Sequence, residues 1–151
     1  MVRLVSVVGG STCSAREAQT AEEVGRLLAE RGFGVVCGGL GGVMEVACRG
    51  CSEAGGTTVG ILPGDRASDA NSFVEVALPT GMGEARNALV AKAGLGMIAV
   101  GGEYGTLSEV ALALKIGKPV VAIGKWTKIE GVAHAKSAED AVEQLARVLT
   151  P

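Results

Sequence analysis

An α/β fold in three layers, αβα, with a mostly parallel sheet of six or seven strands, is what this chain of 151 residues predicts. Three observations lead there. Short apolar runs alternate along the chain with stretches whose apolar residues recur every three or four positions, the pattern of strand and helix in turn. Glycine-containing turns end the first, second, fourth and fifth of those runs. The core material is Val, Leu, Ile and Ala, since Phe33, Phe73, Tyr104 and Trp126 are the only aromatics, and such cores suit parallel sheets covered on both faces. Right-handed crossovers then bring the carboxyl ends of the strands, with their glycine turns, to one rim, where sheets of this Rossmann-like kind hold ligands.

Leu4 to Val8 is a buried-strand run ended by Gly9-Gly10-Ser11-Thr12. Ser14 and Glu17 form an S-x-x-E capping box, and Ala21, Val24, Leu27 and Leu28 recur at helical spacing until Gly32 stops the helix. Phe33 to Cys37 is the second strand; it enters Gly38-Gly39-Leu40-Gly41-Gly42 and a helix whose inner face is Val43, Ala47, Cys51 and Ala54. That small face lets the helix sit close to the sheet and leaves room beside the glycine loop. Thr57 to Leu62 is the third strand, and Pro63-Gly64-Asp65 opens a polar loop through Asn71, expected to be mobile. Phe73 to Leu78 is the fourth, ended by Pro79-Thr80-Gly81 and followed by a helix over 83–93 with Leu89, Val90 and Ala93 as its buried stripe. Gly96 to Val100 is the fifth strand; the helix after it runs to Ile116, with Gly117 as its stop. Pro119 to Ile123 is the sixth, with Trp126 in the loop beyond between Lys125 and Lys128. Ser137 and Asp140 cap a last helix, Ala138 to Leu149, with Ala141, Leu145 and Val148 as its stripe. His134, the only histidine, precedes that helix without an acidic or cysteine partner nearby and is not a candidate for catalysis.

The length fits a single domain, 1–151, with a proper core. A net charge of −2 and scattered basic residues give no footprint for a phosphodiester backbone, so nucleic acid is not expected as a partner. The apolar N-terminus breaks at Gly9-Gly10 and is too short for a membrane span or a secretory leader, so a cytoplasmic protein with no membrane partner is expected. In that reducing compartment Cys13, Cys37, Cys48 and Cys51 stay free. Cys48-Arg49-Gly50-Cys51 has redox-motif spacing, but it lies within a helical pattern with neither a second pair nor a nearby histidine, and small buried hydrophobes are the expected role. No metal ligands are expected.

The chemistry concentrates in Val100-Gly101-Gly102-Glu103-Tyr104-Gly105-Thr106-Leu107-Ser108-Glu109. A helix starting there aims free backbone N–H groups and the positive end of its dipole at whatever sits over the turn. The glycines remove Cβ atoms that would keep an anion away, and the Thr106 hydroxyl adds a donor. Glu109, three residues after Thr106, brings a carboxylate to the same face, able to hold a hydroxyl or move a proton. An ordinary strand-to-helix turn, with Glu109 favouring the helix start, is the other reading of these residues. Arg86 caps the stripe of the preceding helix at the end nearest the strand termini, which fits a forked phosphate ligand; an ion pair with Glu84 or Glu109 is its alternative. Two familiar signatures are absent: G-x-G-x-x-G after the first strand with an acidic residue ending the second, and G-x-x-x-x-G-K-[ST].

Gly39-Leu40-Gly41-Gly42-Val43-Met44, then Met82 with Arg86, then Gly101 to Glu109 resemble the ordered motifs of the LOG-like superfamily, often mislabelled lysine decarboxylase, in the branch near the molybdenum cofactor carrier and DprA-related proteins. The resemblance spans nearly the whole chain. The superfamily's best-known members cleave the N-glycosidic bond of nucleoside 5′-monophosphates, and the resemblance implies Arg86 and Glu109 as catalytic and Thr106 as phosphate-binding. Around them, Gly10, Ser11, Gly39, Gly41, Gly42, Met82, Gly102, Glu103, Tyr104 and Gly105 complete the candidate ligand site. Four positions depart from the hydrolase pattern: Gly101 stands for proline, Glu103 for glycine, Asn87 for lysine and Gly83 for methionine, with Met82 one residue early. Asn87 and Glu103 make the seat less positive by two charges, which favours a binding role. The expectation is therefore a carrier or sensor for a phosphorylated small molecule, a nucleotide or a molybdopterin-type cofactor, with no cofactor required. A phosphoribohydrolase is the alternative. No lysine stands in a Schiff-base context, so a pyridoxal-dependent decarboxylase is rejected. The resemblance also implies a homodimer or homotetramer.

Overall fold

The computed structural model describes residues 1–150. Seven strands form one sheet: β1 (Arg3–Gly9), β2 (Phe33–Cys37), β3 (Thr58–Leu62), β4 (Val76–Pro79), β5 (Met97–Val100), β6 (Val120–Ile123) and β7 (Val132–Ala135). Their order is β4-β3-β2-β1-β5-β6-β7, and every neighbouring pair is parallel. The helices are α1 (Ala15–Glu30), α2 (Val43–Glu53), α3 (Asn87–Ala93), α4 (Tyr104–Lys115) and α5 (Ala138–Leu149). Two apolar clusters flank the sheet. One joins alternate residues of the central strands, among them Val5, Val7, Val35 and Ile98, to α1, α2 and α5; the other joins Val8, Val36, Met97 and Ala99 to α3 and α4. This is the three-layer Rossmann-like arrangement, with α1, α2 and α5 on one face and α3 and α4 on the other. No described helix is long and apolar enough to cross a membrane.

Local chemistry sets the element boundaries. The capping box at the start of α1 is complete, with the Ser14 hydroxyl accepting from the Glu17 N–H and the Glu17 carboxylate accepting from the Ser14 N–H. Ser137 caps α5 by accepting from the Asp140 N–H. The fourth strand starts at Val76 rather than Phe73. Side chains hold the backbone before it: Asn71 accepts from the Phe73 N–H, and Thr58 donates to the Phe73 carbonyl while accepting from the Glu75 N–H. Phe73 itself packs against the core. Asn71 also donates to the Leu40 carbonyl, which ties the end of the polar 63–71 loop to the second glycine turn.

The helix expected over 83–93 opens as a tight 3₁₀ turn, Gly83–Arg86, before becoming α3. Three residues per turn instead of 3.6 rotates the phase, so the buried residues of α3 are Asn87, Val90 and Ala91, not Leu89, Val90 and Ala93. In α5 the buried stripe is Ala138, Ala141, Val142, Leu145 and Ala146. Val148 lies roughly a quarter-turn off its centre and is exposed. Ala54 caps the end of α2 and is exposed, whereas Met44, Cys48 and Gly50 join its buried face. The chain before α5 is the seventh strand, an edge that the apolar pattern hid because Ala133 and His134 are exposed.

Candidate functional site

The turns after β1, β2, β4, β5 and β6 meet at the carboxyl rim around a cleft of about 350 Å³. Gly10, Ser11 and Thr12 come from the first turn, Leu40 and Met44 from the second, Glu84, Arg86 and Asn87 from the approach to α3, and Gly102, Glu103, Gly105, Thr106 and Glu109 from the start of α4. Glu17 of α1 and Lys125 of the β6 loop complete the wall. The cleft sits where strand order reverses, since the chain steps outward from β1 to β4 and then crosses back to place β5 on the other side of β1.

Arg86 is 7% exposed, yet its Nε has no hydrogen-bond partner, and no described carboxylate forms an ion pair with it. The proposed pairing with Glu84 or Glu109 is thus not made. Its guanidinium occupies a slot left by Gly38: a Cβ there would lie 1.9 Å from Arg86 Nη1. A buried cation held without a counterion is costly, and such a cost persists where the group has a ligand to meet.

Glu109, also 7% exposed, lines the same cleft from the second turn of α4. Burial pushes its carboxyl up to about 8; Arg86 opposes the rise and Glu84 adds to it. Burial therefore favours the protonated form of Glu109 at neutral pH, in which it offers a donor. Thr106 is buried, and its hydroxyl lies over Gly102, whose φ of +101° and lack of Cβ allow the approach; a Cβ at Gly102 would lie 2.1 Å from Thr106 Oγ1. No side chain caps the start of α4, so the first-turn N–H groups of the helix are not taken up by one.

Of the residues expected from sequence, Gly10, Ser11, Arg86, Gly102, Glu103, Gly105, Thr106 and Glu109 share the cleft. Gly39, Gly41 and Gly42 shape the second turn, but Leu40 and Met44 present the lining atoms there. Met82 and Tyr104 are exposed and stand outside the cleft, because Met82 precedes the 3₁₀ turn and Tyr104 projects outward from the first turn of α4. Sequence reasoning missed Glu17 and Lys125 as lining residues, and it named Glu84 only as an ion-pair partner and Asn87 only as a departure from the hydrolase pattern. Lys125 had a readable signal, its place just after the carboxyl end of β6. Asn87 donates to the Ser108 hydroxyl at 3.0 Å, which in turn donates to the Gly105 carbonyl at 2.6 Å, joining α3 to the first turn of α4. Cys37, Cys48 and Cys51 are buried thiols, with burial raising Cys51 to about 11, and they do not line the cleft.

A parallel sheet with helices on both faces and a glycine-walled cleft at its switch point defines a Rossmann-like α/β protein with a small-molecule-sized site at the strand ends. The chain belongs to the SLOG cluster4 family, which it matches over residues 2–150. It is 41% identical to a protein of Archaeoglobus fulgidus over 139 residues, 91% of each chain. Among solved structures it is similar to the molybdenum cofactor binding protein of the phototrophic bacterium Rippkaea orientalis, with TM-score 0.91, 33% identity and 99% of each chain covered. It is also similar to the molybdenum cofactor carrier protein of Chlamydomonas reinhardtii, with TM-score 0.89, 32% identity and all of each chain covered. DNA processing protein A of Helicobacter pylori, at 17% identity, TM-score 0.73 and coverage of 97% of this chain and 81% of its own, shares the fold alone.

Proposed function

We propose that this protein is a carrier or sensor for a phosphorylated small molecule of the molybdopterin or nucleotide kind, and that it belongs to the wider LOG-like superfamily. The observation that carries the reading is Arg86, a buried guanidinium whose Nε has no hydrogen-bond partner, in a cleft beside the open start of α4. A phosphate there accepts from Arg86, from the Thr106 hydroxyl and from the first-turn N–H groups of α4. Protonated Glu109 donates to an oxygen of the same ligand instead of repelling it. The likeness to a molybdenum cofactor binding protein and to a molybdenum cofactor carrier protein supports this choice of ligand class. The reading involves no nucleic acid and no membrane, and it includes a homodimer or homotetramer, which sedimentation of the purified protein measures.

One observation favours a second reading. A carboxyl that keeps its proton to about pH 8 beside an anion-binding cation suits general-acid catalysis. In a phosphoribohydrolase, Glu109 would give its proton to the departing base nitrogen as the C1′–N bond breaks, and water adding to C1′ would return a proton to the carboxylate. Incubation with AMP and related monophosphates, assayed for free base and ribose 5-phosphate, separates the two. The carrier reading expects no turnover, with binding of molybdopterin or a nucleotide seen by calorimetry. Turnover abolished by Glu109→Gln would establish the hydrolase instead, and absence of binding to any phosphorylated ligand would refute both.

A further inference from the structure

We propose that Lys125 is a ligand-binding residue, a second cation that the loop after β6 supplies to the anionic group of the ligand; the inference rests on the phosphorylated-ligand reading above. The cleft is lined by four carboxyl side chains, Glu17, Glu84, Glu103 and Glu109, and by only two cations, Arg86 and Lys125. With Glu109 protonated, three negative charges still face two positive ones. Arg86 alone would leave a phosphate dianion among carboxylates with one cation to hold it, so the loop lysine sets how tightly the cleft holds an anion.

Lys125 is free to serve in this way. Its Nζ donates to the Gly102 carbonyl at 2.9 Å and reaches Glu103 Oε2 at 3.4 Å. Glu103 is 84% exposed, so this ion pair is screened by solvent and easily exchanged for a phosphate oxygen. An ammonium has three donors, so it can keep the Gly102 carbonyl while exchanging the carboxylate.

Its position, by contrast, is built in. Trp126 is the one described non-glycine residue with positive φ, at +67°, and its indole N–H donates to the Gly101 carbonyl at 2.8 Å. A bulky residue held in the left-handed region is strained, and such strain persists where surrounding contacts impose it, characteristically at binding sites. The Lys125 ammonium lies 5.2 Å from the centre of the Trp126 ring, within cation–π range. Trp126 thus acts as a positioning residue, fixing the lysine and the Gly101–Gly102 turn with one side chain.

The test is calorimetry of the full chain with AMP and GMP, and with adenosine and guanosine as phosphate-free controls. Lys125→Gln, which keeps most of the stem over Trp126, is expected to weaken monophosphate binding by about ten-fold, the scale of one hydrogen bond to a charged group. It leaves nucleoside binding unchanged, and Lys125→Arg recovers most of the loss. Glu103→Gln is expected to tighten monophosphate binding, and that gain shrinks when Lys125→Gln is also present, a coupling that a purely structural lysine would not produce. Monophosphate binding unaltered in Lys125→Gln but weakened in Arg86→Ala overturns this inference and leaves the reading of the cleft standing. Binding unaltered in Arg86→Ala overturns both; no preference of the unaltered protein for monophosphates over nucleosides overturns this inference, and the reading of the cleft as well if molybdopterin is not bound either.

Discussion

Glu109 stores a pH dependence that a substitution can expose. Its ordinary value of 4.5 rises to about 8 in the folded chain, chiefly because burial strips the carboxylate of water. Below pH 4.5 folded and unfolded chains both carry the proton, and the group makes no difference. Between 4.5 and 8 the unfolded chain releases it while the folded chain retains it, so stability falls as pH rises through that window; above 8 the full penalty is present. Glutamine imitates the protonated acid but cannot ionise. Glu109→Gln should therefore match the parent protein at pH 4.5 and exceed it by a growing margin to pH 8–9, on the order of a few kcal/mol. Melting curves across that range check it, and a constant offset at every pH would show that Glu109 is not buried as a neutral acid. Arg86 and Glu109 were both legible in the sequence, Glu109 from its helical offset after a glycine turn and Arg86 from its place ahead of an apolar helical stripe, although the 3₁₀ turn shifts that stripe. Glu17 was not, since it reaches the cleft from a helix remote in sequence and only the sheet brings it there; Lys125 could be read only from its place just after the carboxyl end of β6.

The contact between α1 and α2 turns a propensity argument upside down. Gly25 sits in the middle of α1, where glycine costs about 0.5–1 kcal/mol relative to alanine in a helix. On propensity alone, Gly25→Ala should stabilise. A Cβ at Gly25 would lie 2.0 Å from the Ala47 carbonyl oxygen of α2, and one at Gly50 would lie 2.0 Å from the Glu22 carbonyl oxygen of α1. Both obstacles are backbone, so the helices themselves must separate, and overpacking of this kind costs about 1–3 kcal/mol or more. Packing wins, and Gly25→Ala should lower the melting temperature by about 5 °C, at roughly 2–4 °C per kcal/mol for a chain of this size; an unchanged or raised value would mean that the helices do not cross so closely. The sequence reading set the small face of α2 against the sheet and did not foresee its close approach to α1, since a glycine inside a helical pattern looks like a defect until its neighbour is known. The same limit explains the other differences. Burial stripes in α3 and α5 depend on helix phase, set here by a 3₁₀ turn and by where the sheet ends. The strand β7 shows little apolar alternation because it is an edge.

At the scale of the whole molecule, the strand order explains why the site is spread over so much of the chain. Crossing back from β4 to β5 sends the connections beside β1 to opposite faces, α1 to one and α4 to the other, and the gap between them is the cleft. Turns from five strands contribute to its wall, so a bound ligand bridges segments that otherwise meet only through the sheet. Occupancy should then act on the fold as a unit. A ligand at 100 times its Kd adds about 2.7 kcal/mol to the folded state, which for a chain of this size is a rise in melting temperature of roughly 5–10 °C. Hydrogen exchange should slow together in residues 9–12, 38–44, 84–87 and 101–109, and also around Lys125, because each contributes to one wall. The helix α5 packs on the far edge against α1, β6 and β7 and supplies no lining residue, so its exchange should change least. Protection confined to a single turn, or strongest in α5, would mean that the ligand sits elsewhere and that the convergence of glycine turns serves only the packing of the sheet.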